Sequence, residues 1–140
     1  MPYAPDHISM NEPDAFGTYP IQFAMSQDDP DMVKLALESG ADPNIDLGQG
    51  WTPLHEAVDY AIDGMIQHNL DSLYSIAVEM IKILLDKGAD LSKKTNSGKT
   101  PLDIINDYAA GKDGFDALIN MFKPVIPKIE MQITYNSNIK

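Results

Sequence analysis

The sequence predicts an all-α fold, a solenoid of about three stacked helix-turn-helix repeats whose middle repeat carries an insertion of about 15 residues. Three observations predict it. Gly50-Trp51-Thr52-Pro53-Leu54-His55 returns as Gly98-Lys99-Thr100-Pro101-Leu102-Asp103 and, more weakly, as Gly17-Thr18-Tyr19-Pro20-Ile21-Gln22. Gly17 and Gly50 stand 33 residues apart, whereas Gly50 and Gly98 stand 48 apart, the same period with 15 added. Gly40-Ala41-Asp42 returns as Gly88-Ala89-Asp90, so the added residues fall between the two helices of the middle repeat.

Each element follows from local chemistry. Residues 1–13, with Pro2, Pro5 and Pro13, read as an irregular lead-in. The repeats then run over about 14–46, 47–94 and 95–123, followed by a tail at 124–140. In the first repeat Tyr19-Pro20 opens a short helix with Ile21, Ala24 and Met25 on its apolar side. Asp28-Asp29-Pro30 is a stop, a cap and a first-turn proline. A second helix carries Met32, Val33, Leu35, Ala36 and Leu37 to Gly40, where glycine suits a left-handed C-cap.

In the middle repeat Thr52 is placed to cap the free N–H groups of the next helix, and Pro53 suits its first position because its missing N–H is not needed there. No Gly or Pro interrupts residues 54–63, and Asp71 reads as the cap of a second helix, Ser72 to Lys87. Fifteen residues make about four helical turns, so the expectation is that both helices lengthen by about two turns. The third repeat starts a helix at Pro101 that reaches about Ala109, with Asp103 placed to bond back as a capping-box acid. Gly111 and Gly114 loosen the following turn, and a helix from Phe115 to Phe122 ends at Pro124 without the Gly-Ala-Asp close. In the tail, Ile129, Met131, Ile133 and Tyr135 alternate with polar residues, the periodicity of a strand. Three fates stay open for it: packing on the last repeat, pairing with a partner's sheet edge, or no regular structure.

Composition narrows the function classes. A chain of 140 residues without cysteine supports one core and excludes disulfides and thiolate metal sites. The first sixteen residues lack a basic start followed by an apolar run, and no apolar stretch is long enough to span a bilayer. The expectation is a soluble, cytoplasmic protein. The formal net charge is −11, and all of it lies in residues 1–63, where twelve Asp/Glu face the single Lys34. Residues 64–140 carry nine of each sign, and the chain has no Arg. An acidic half without guanidinium forks disfavours nucleic acid and anionic membranes. It favours a basic partner, although an acidic surface also serves solubility alone.

Together these motifs resemble the ankyrin repeat family over residues 14 to about 123. The resemblance rests on Thr52-Pro53-Leu54-His55, on Thr100-Pro101-Leu102, on the paired aliphatics Met80-Ile81-Lys82-Ile83-Leu84-Leu85, and on the close at Gly88-Ala89-Asp90. It implies that Thr52, Pro53, Leu54, His55, Gly88, Thr100 and Pro101 maintain the fold. It also implies protein binding through the hairpin tips and the exposed side of the first helices. Carried over by position, the tips are Ala15, Phe16 and Thr18, then Gly48, Gln49 and Trp51, then Asn96, Ser97 and Lys99. The helix positions are Ser26 and Gln27, then Glu56, Asp59 and Tyr60, then Asp107 and Tyr108. Trp51 has two readings, a binding anchor or packing against the next hairpin. Asp59-Tyr60 and Asp107-Tyr108 repeat an acid and a phenol at equivalent positions, a combination suited to a partner's Lys or Arg.

His7, His55 and His68 lack metal-ligand spacing, and there is no Gly-rich phosphate loop, Gly-x-Ser-x-Gly elbow or His-Glu-x-x-His pair. Neither catalysis, nor a cofactor, nor a metal is expected. Size, acidity and family together resemble the small acidic ankyrin-type immunity proteins found beside bacterial toxins. The expected function is therefore inhibition of a basic protein by a monomer or 1:1 heterocomplex. The alternative is a non-inhibitory scaffold or adaptor.

Overall fold

The computed structural model describes residues 9–136; residues 1–8 of the lead-in, with Pro2, Pro5 and His7, and residues 137–140 of the tail lie outside them. Among the described residues six α-helices form three pairs: α1 (Pro20–Ser26) with α2 (Pro30–Glu38), α3 (Pro53–Gln67) with α4 (Ser75–Asp86), and α5 (Asp103–Tyr108) with α6 (Gly111–Phe122). A short 3-10 helix, Ile129–Met131, comes last, and there is no strand among the described residues. Between repeats α2 packs on α4 and α3 on α5. One continuous core results, running from Ile21 and Val33 through Leu54, Val58, Met80 and Leu84 to Ile105 and Phe122. This is the all-α repeat stack the sequence predicts, held by neighbour-on-neighbour burial.

The repeat-to-repeat joints obey the 33-residue period. Asn44 donates from Nδ2 to the Gly88 carbonyl (3.1 Å) and accepts the Asp90 N–H (2.7 Å). Thirty-three residues earlier, Asn11 makes the same two bonds to the Gly40 carbonyl (3.1 Å) and the Asp42 N–H (2.7 Å). The lead-in thus contributes a repeat-like clamp at Asn11, two residues before the end of the stretch expected to be irregular.

The insertion departs from the expected symmetric lengthening. α3 has 15 residues against seven in α1, and α4 has 12 against nine in α2. α3 therefore takes eight of the extra residues and α4 three, and the connection over residues 68–74 absorbs the other four. Asp71 does not cap a helix at Ser72; α4 starts at Ser75 with Tyr74 as its N-cap. The reason is how Tyr74 is held. Its N–H donates to the Ala61 carbonyl (3.0 Å) and its ring stacks on His68 at 4.8 Å, which folds the connection back along α3. Asn69, at φ 55, turns the chain out of α3.

The third repeat also differs in detail. The Thr100–Asp103 capping box forms as expected, with Asp103 Oδ2 accepting the Thr100 N–H (2.8 Å) and Thr100 Oγ1 accepting the Asp103 N–H (3.2 Å). The first turn is tight, with Asp103 N–H bonded to the Thr100 carbonyl, so regular helix starts at Asp103 rather than Pro101. α6 begins at Gly111, four residues before the expected Phe115, and Gly114 lies inside it. Only Gly111, at φ +80, makes the turn.

The strand reading of the tail is overturned. Ile126, Ile129 and Ile133 are buried while Met131 is 78 % exposed, so the tail buries residues three and four apart and not every second one. Asn106 in α5, itself buried, holds this arrangement by donating to the Thr134 carbonyl (3.1 Å) and accepting the Asn136 N–H (2.9 Å). Tyr135 packs its ring on Phe115 at 5.6 Å. The tail covers the apolar side of the last helix pair.

Gly64 shows how tightly the insertion is packed. A Cβ there would lie 2.7–2.9 Å from Tyr74 Cδ2, Cγ and Cβ, the near end of that side chain. Alanine would add about 1 kcal/mol of helix propensity, but the overlap would cost about 1–3 kcal/mol. Gly64→Ala is therefore expected to lower the urea-unfolding free energy, by about 1 kcal/mol net.

Candidate functional site

The hairpins build one wall of the site. In the second hairpin Asp46 Oδ1 accepts the N–H groups of Gly48 (2.7 Å) and Gly50 (2.9 Å), and Leu47 N–H donates to the Trp51 carbonyl (2.7 Å). The third hairpin closes between Thr95 N–H and the Lys99 carbonyl (2.8 Å). The two are zipped together: Asn96 N–H donates to the Gln49 carbonyl (2.8 Å) and Asn96 Nδ2 to Gln49 Oε1 (3.2 Å). Gly50 permits this approach, since a Cβ there would lie 2.8 Å from Thr95 Cα and its φ is +80.

His55 ties the hairpins to the helices. Its ring is 0 % exposed. Thr52 N–H donates to Nδ1 (3.1 Å), which makes Nδ1 the acceptor and leaves Nε2–H to donate to the Lys99 carbonyl (2.8 Å). One neutral imidazole thus closes the cap of α3 and grips the next repeat's hairpin. Burial pushes its pKa below the ordinary 6.5, outweighing the opposing effects of the Lys99 carbonyl and Asp103.

Trp51 packs within its own repeat and also faces open space. Its indole is half-buried, lies 5.2 Å from the His55 ring and donates from Nε1 to Glu56 Oε1 (2.9 Å). The rest of its surface lines an open concavity of about 670 Å³ between the second and third repeats. That concavity brings together Gln49, Trp51, Asp59, Lys99, Asp107 and Tyr108 from the sequence-derived set. Asn96 and Ser97 join them, with Thr95 and Ile104, which sequence reasoning missed. Thr95 is the base of the third hairpin and Ile104 looks like core by pattern, so neither carried a signal of its own.

Two carboxylates and one ammonium line this space. Lys99 Nζ bonds both oxygens of Asp107, at 2.8 and 2.9 Å. Asp59 accepts the Tyr108 hydroxyl (2.8 Å) and is only partly exposed. Burial pushes its pKa above the ordinary carboxylate value; the Tyr108 bond opposes this, and Asp63 and Asp107 reinforce it. Burial and the neighbouring Asp59 push the Tyr108 phenol upward in turn.

The expected acid–phenol pairs take a different form. Each tyrosine reaches back to an acid of the preceding repeat: Tyr108 to Asp59, and Tyr60 to Asp28. Tyr74 also donates to Asp28, at 3.3 Å. These bonds are rungs between repeats, and Asp28 belongs to them although its place at a helix stop hid it in the sequence. Glu56 and Tyr60 line a second, smaller concavity of about 320 Å³ with Gln22, Met25, Ser26 and Asp28. Phe16 (93 % exposed), Thr18 and Gln27 join neither space. Among the described residues no group of His, Asp and Glu is placed to hold a metal, and no helix is long and apolar enough to cross a membrane.

A family model for ankyrin repeats in three copies matches residues 4–71, and a model for the single ankyrin repeat matches residues 49–96. The chain belongs to the ankyrin repeat family. Among solved structures, the crystal structure of the ankyrin repeat domain of Bcl-3, described as a unique member of the IkappaB protein family, aligns with a TM-score of 0.55 at 24% identity. The alignment covers 81% of this chain and 42% of that one, and it speaks for the fold alone. No curated protein gives a significant match. As an ankyrin protein the chain is a protein–protein interaction module.

The His55 geometry fixes a pH dependence. A histidine with a depressed folded pKa contributes stability that is complete above its unfolded value, about 6.5, and is lost as pH falls through the folded one. His55→Gln is expected to lower stability by about 1–3 kcal/mol at neutral pH. Relative to this variant, the wild type should lose stability as pH drops below 6.5 in denaturant titrations.

Proposed function

We propose that this ankyrin module binds a basic protein partner and inhibits it, in the manner of an immunity protein that neutralises a bacterial toxin. The observation that supports this reading most is the one-sided charge. Glu12, Asp14, Asp28, Asp31, Glu38, Asp42 and Asp46 are all exposed in the N-terminal half, with Lys34 as its one base. Of these acids only Glu38 pairs with a described lysine, Lys87 at 3.7 Å. Such a field accelerates encounter with a basic protein about 10–10³-fold and rejects acidic ones. The concavity lined by Trp51 and Tyr108 supplies apolar area at which contact can become tight.

Occlusion needs only one face of the partner to be covered, which suits a stack of helix pairs joined repeat to repeat. In this reading the complex is 1:1 and forms in the cytoplasm. The adaptor alternative draws support from a different surface. Lys34, Lys82 and Lys87 gather with Ile83 and Asp86 around an open depression of about 320 Å³ beside α2 and α4. A second face that carries lysines, with Lys82 bridged to Glu79 and Lys87 to Glu38, suits a protein that bridges two partners.

Affinity capture from the native host, followed by an assay of the captured partner's activity, separates the two readings: inhibition supports the first, and an unchanged activity supports the adaptor. Association is expected to slow at least about tenfold between low and physiological salt. Asp59→Asn and Trp51→Ala should each weaken the complex by about tenfold or more. Affinity indifferent to ionic strength and to both substitutions contradicts charge-led binding.

A further inference from the structure

We infer that the concavity between the second and third repeats is a receptor for one arginine side chain of the partner, with Asp59 as its counter-ion and Trp51 and Tyr108 as its walls. The inference rests on the basic-partner reading above and names the group that reading leaves open.

The charges inside the space do not balance. Lys99 is committed to both oxygens of Asp107, which leaves Asp59 as a carboxylate without a cation among the described residues. Its one hydrogen-bond partner among the described residues is neutral, the Tyr108 hydroxyl on Oδ1. The charged groups that act on it, Asp63 and Asp107, are both acidic. A partly buried carboxylate pressed by two others is destabilised in its charged form, and an arriving cation relieves this.

Shape and surface then select among cations. Trp51 and Tyr108 offer aromatic surface and Ile104 apolar surface, and the hairpin residues Asn96 and Ser97 supply uncharged polar groups at the edge. A guanidinium is planar and weakly hydrated. It stacks on aromatic rings while donating in its plane to a carboxylate and to amide or hydroxyl oxygens. An ammonium is compact and strongly hydrated, and gains less from such walls. The volume of about 670 Å³ accommodates an arginine side chain with neighbouring residues of the partner. Trp51 is held by its bond to Glu56 and Tyr108 by its bond to Asp59, so both walls are set before binding.

The test uses the full chain and three tripeptides, N-acetyl-Ala-X-Ala-amide with X as arginine, lysine or citrulline. Trp51 is the only tryptophan, so its indole N–H gives a single resonance; that N–H bonds Glu56 of the second concavity, and Asp59→Asn assigns a shift to this space. The arginine peptide is expected to shift that resonance saturably, in about the millimolar range. Lysine should bind several-fold more weakly, and neutral citrulline should give no saturable shift. Asp59→Asn keeps the acceptor for Tyr108 and should weaken the arginine response about tenfold, with circular dichroism confirming the fold. Equal responses to arginine and citrulline, or an unchanged response in Asp59→Asn, overturn the inference. Polylysine, titrated in parallel, isolates the underlying reading. Salt-sensitive polylysine binding with an indole unmoved by arginine overturns the receptor and leaves the basic-partner reading standing. A saturable arginine response without polylysine binding does the reverse.

Discussion

One buried imidazole carries much of the architecture. His55 closes the N-terminal cap of α3 through Thr52 and, from its other nitrogen, bonds the carbonyl of Lys99 forty-four residues away. A local cap and a joint between repeats are therefore one interaction, made in a dry site where an unpaired polar group would be costly. The hairpin it grips carries Lys99, whose side chain holds Asp107, and packs against Gln49 and Gly50 of its neighbour. The pocket between the second and third repeats exists because these two hairpins are held at fixed spacing.

The same economy recurs along the stack. Asparagine clamps at Asn11 and Asn44 hold successive helix-pair ends, and tyrosines at 60 and 108 reach back to acids of the preceding repeat. A repeat cannot bury both faces alone, so its specificity lies in such side-chain joints as much as in the aliphatic core. At the C-terminal end the joint is made by the tail, with Asn106 in the role of clamp. The joints also draw on residues of the proposed binding surface, so that Asp59 and Trp51 each have a structural bond as well.

Repeat grammar was legible in the sequence because it is local. Thr52-Pro53 and Asp29-Pro30 state helix starts by capping chemistry, and α2 and α3 begin where those pairs place them. The insertion was legible in position but not in shape, since the start of α4 depends on Tyr74 finding Gly64 and His68 after the chain has folded back. The tail misled for a similar reason. Its alternation of apolar and polar residues matches a strand, yet the surface it meets is a helix pair, which accepts Ile126, Ile129 and Ile133 at helical spacing. At the site, hairpin-tip and helix positions brought Gln49, Trp51, Asp59, Lys99, Asp107 and Tyr108 into view one by one. Their convergence, and the commitment of Lys99 to Asp107, are properties of the stack and have no counterpart in sequence spacing.

The central claim is that partners are gripped where the second and third hairpins meet the helices α3 and α5. Hydrogen exchange on the complex with the captured partner tests it most directly. The account predicts slowed exchange at the Trp51 indole and at backbone amides of residues 96–99 and 107–108. Protection confined to α2 and α4, around Lys34, Lys82 and Lys87, with Trp51 unchanged, would contradict it.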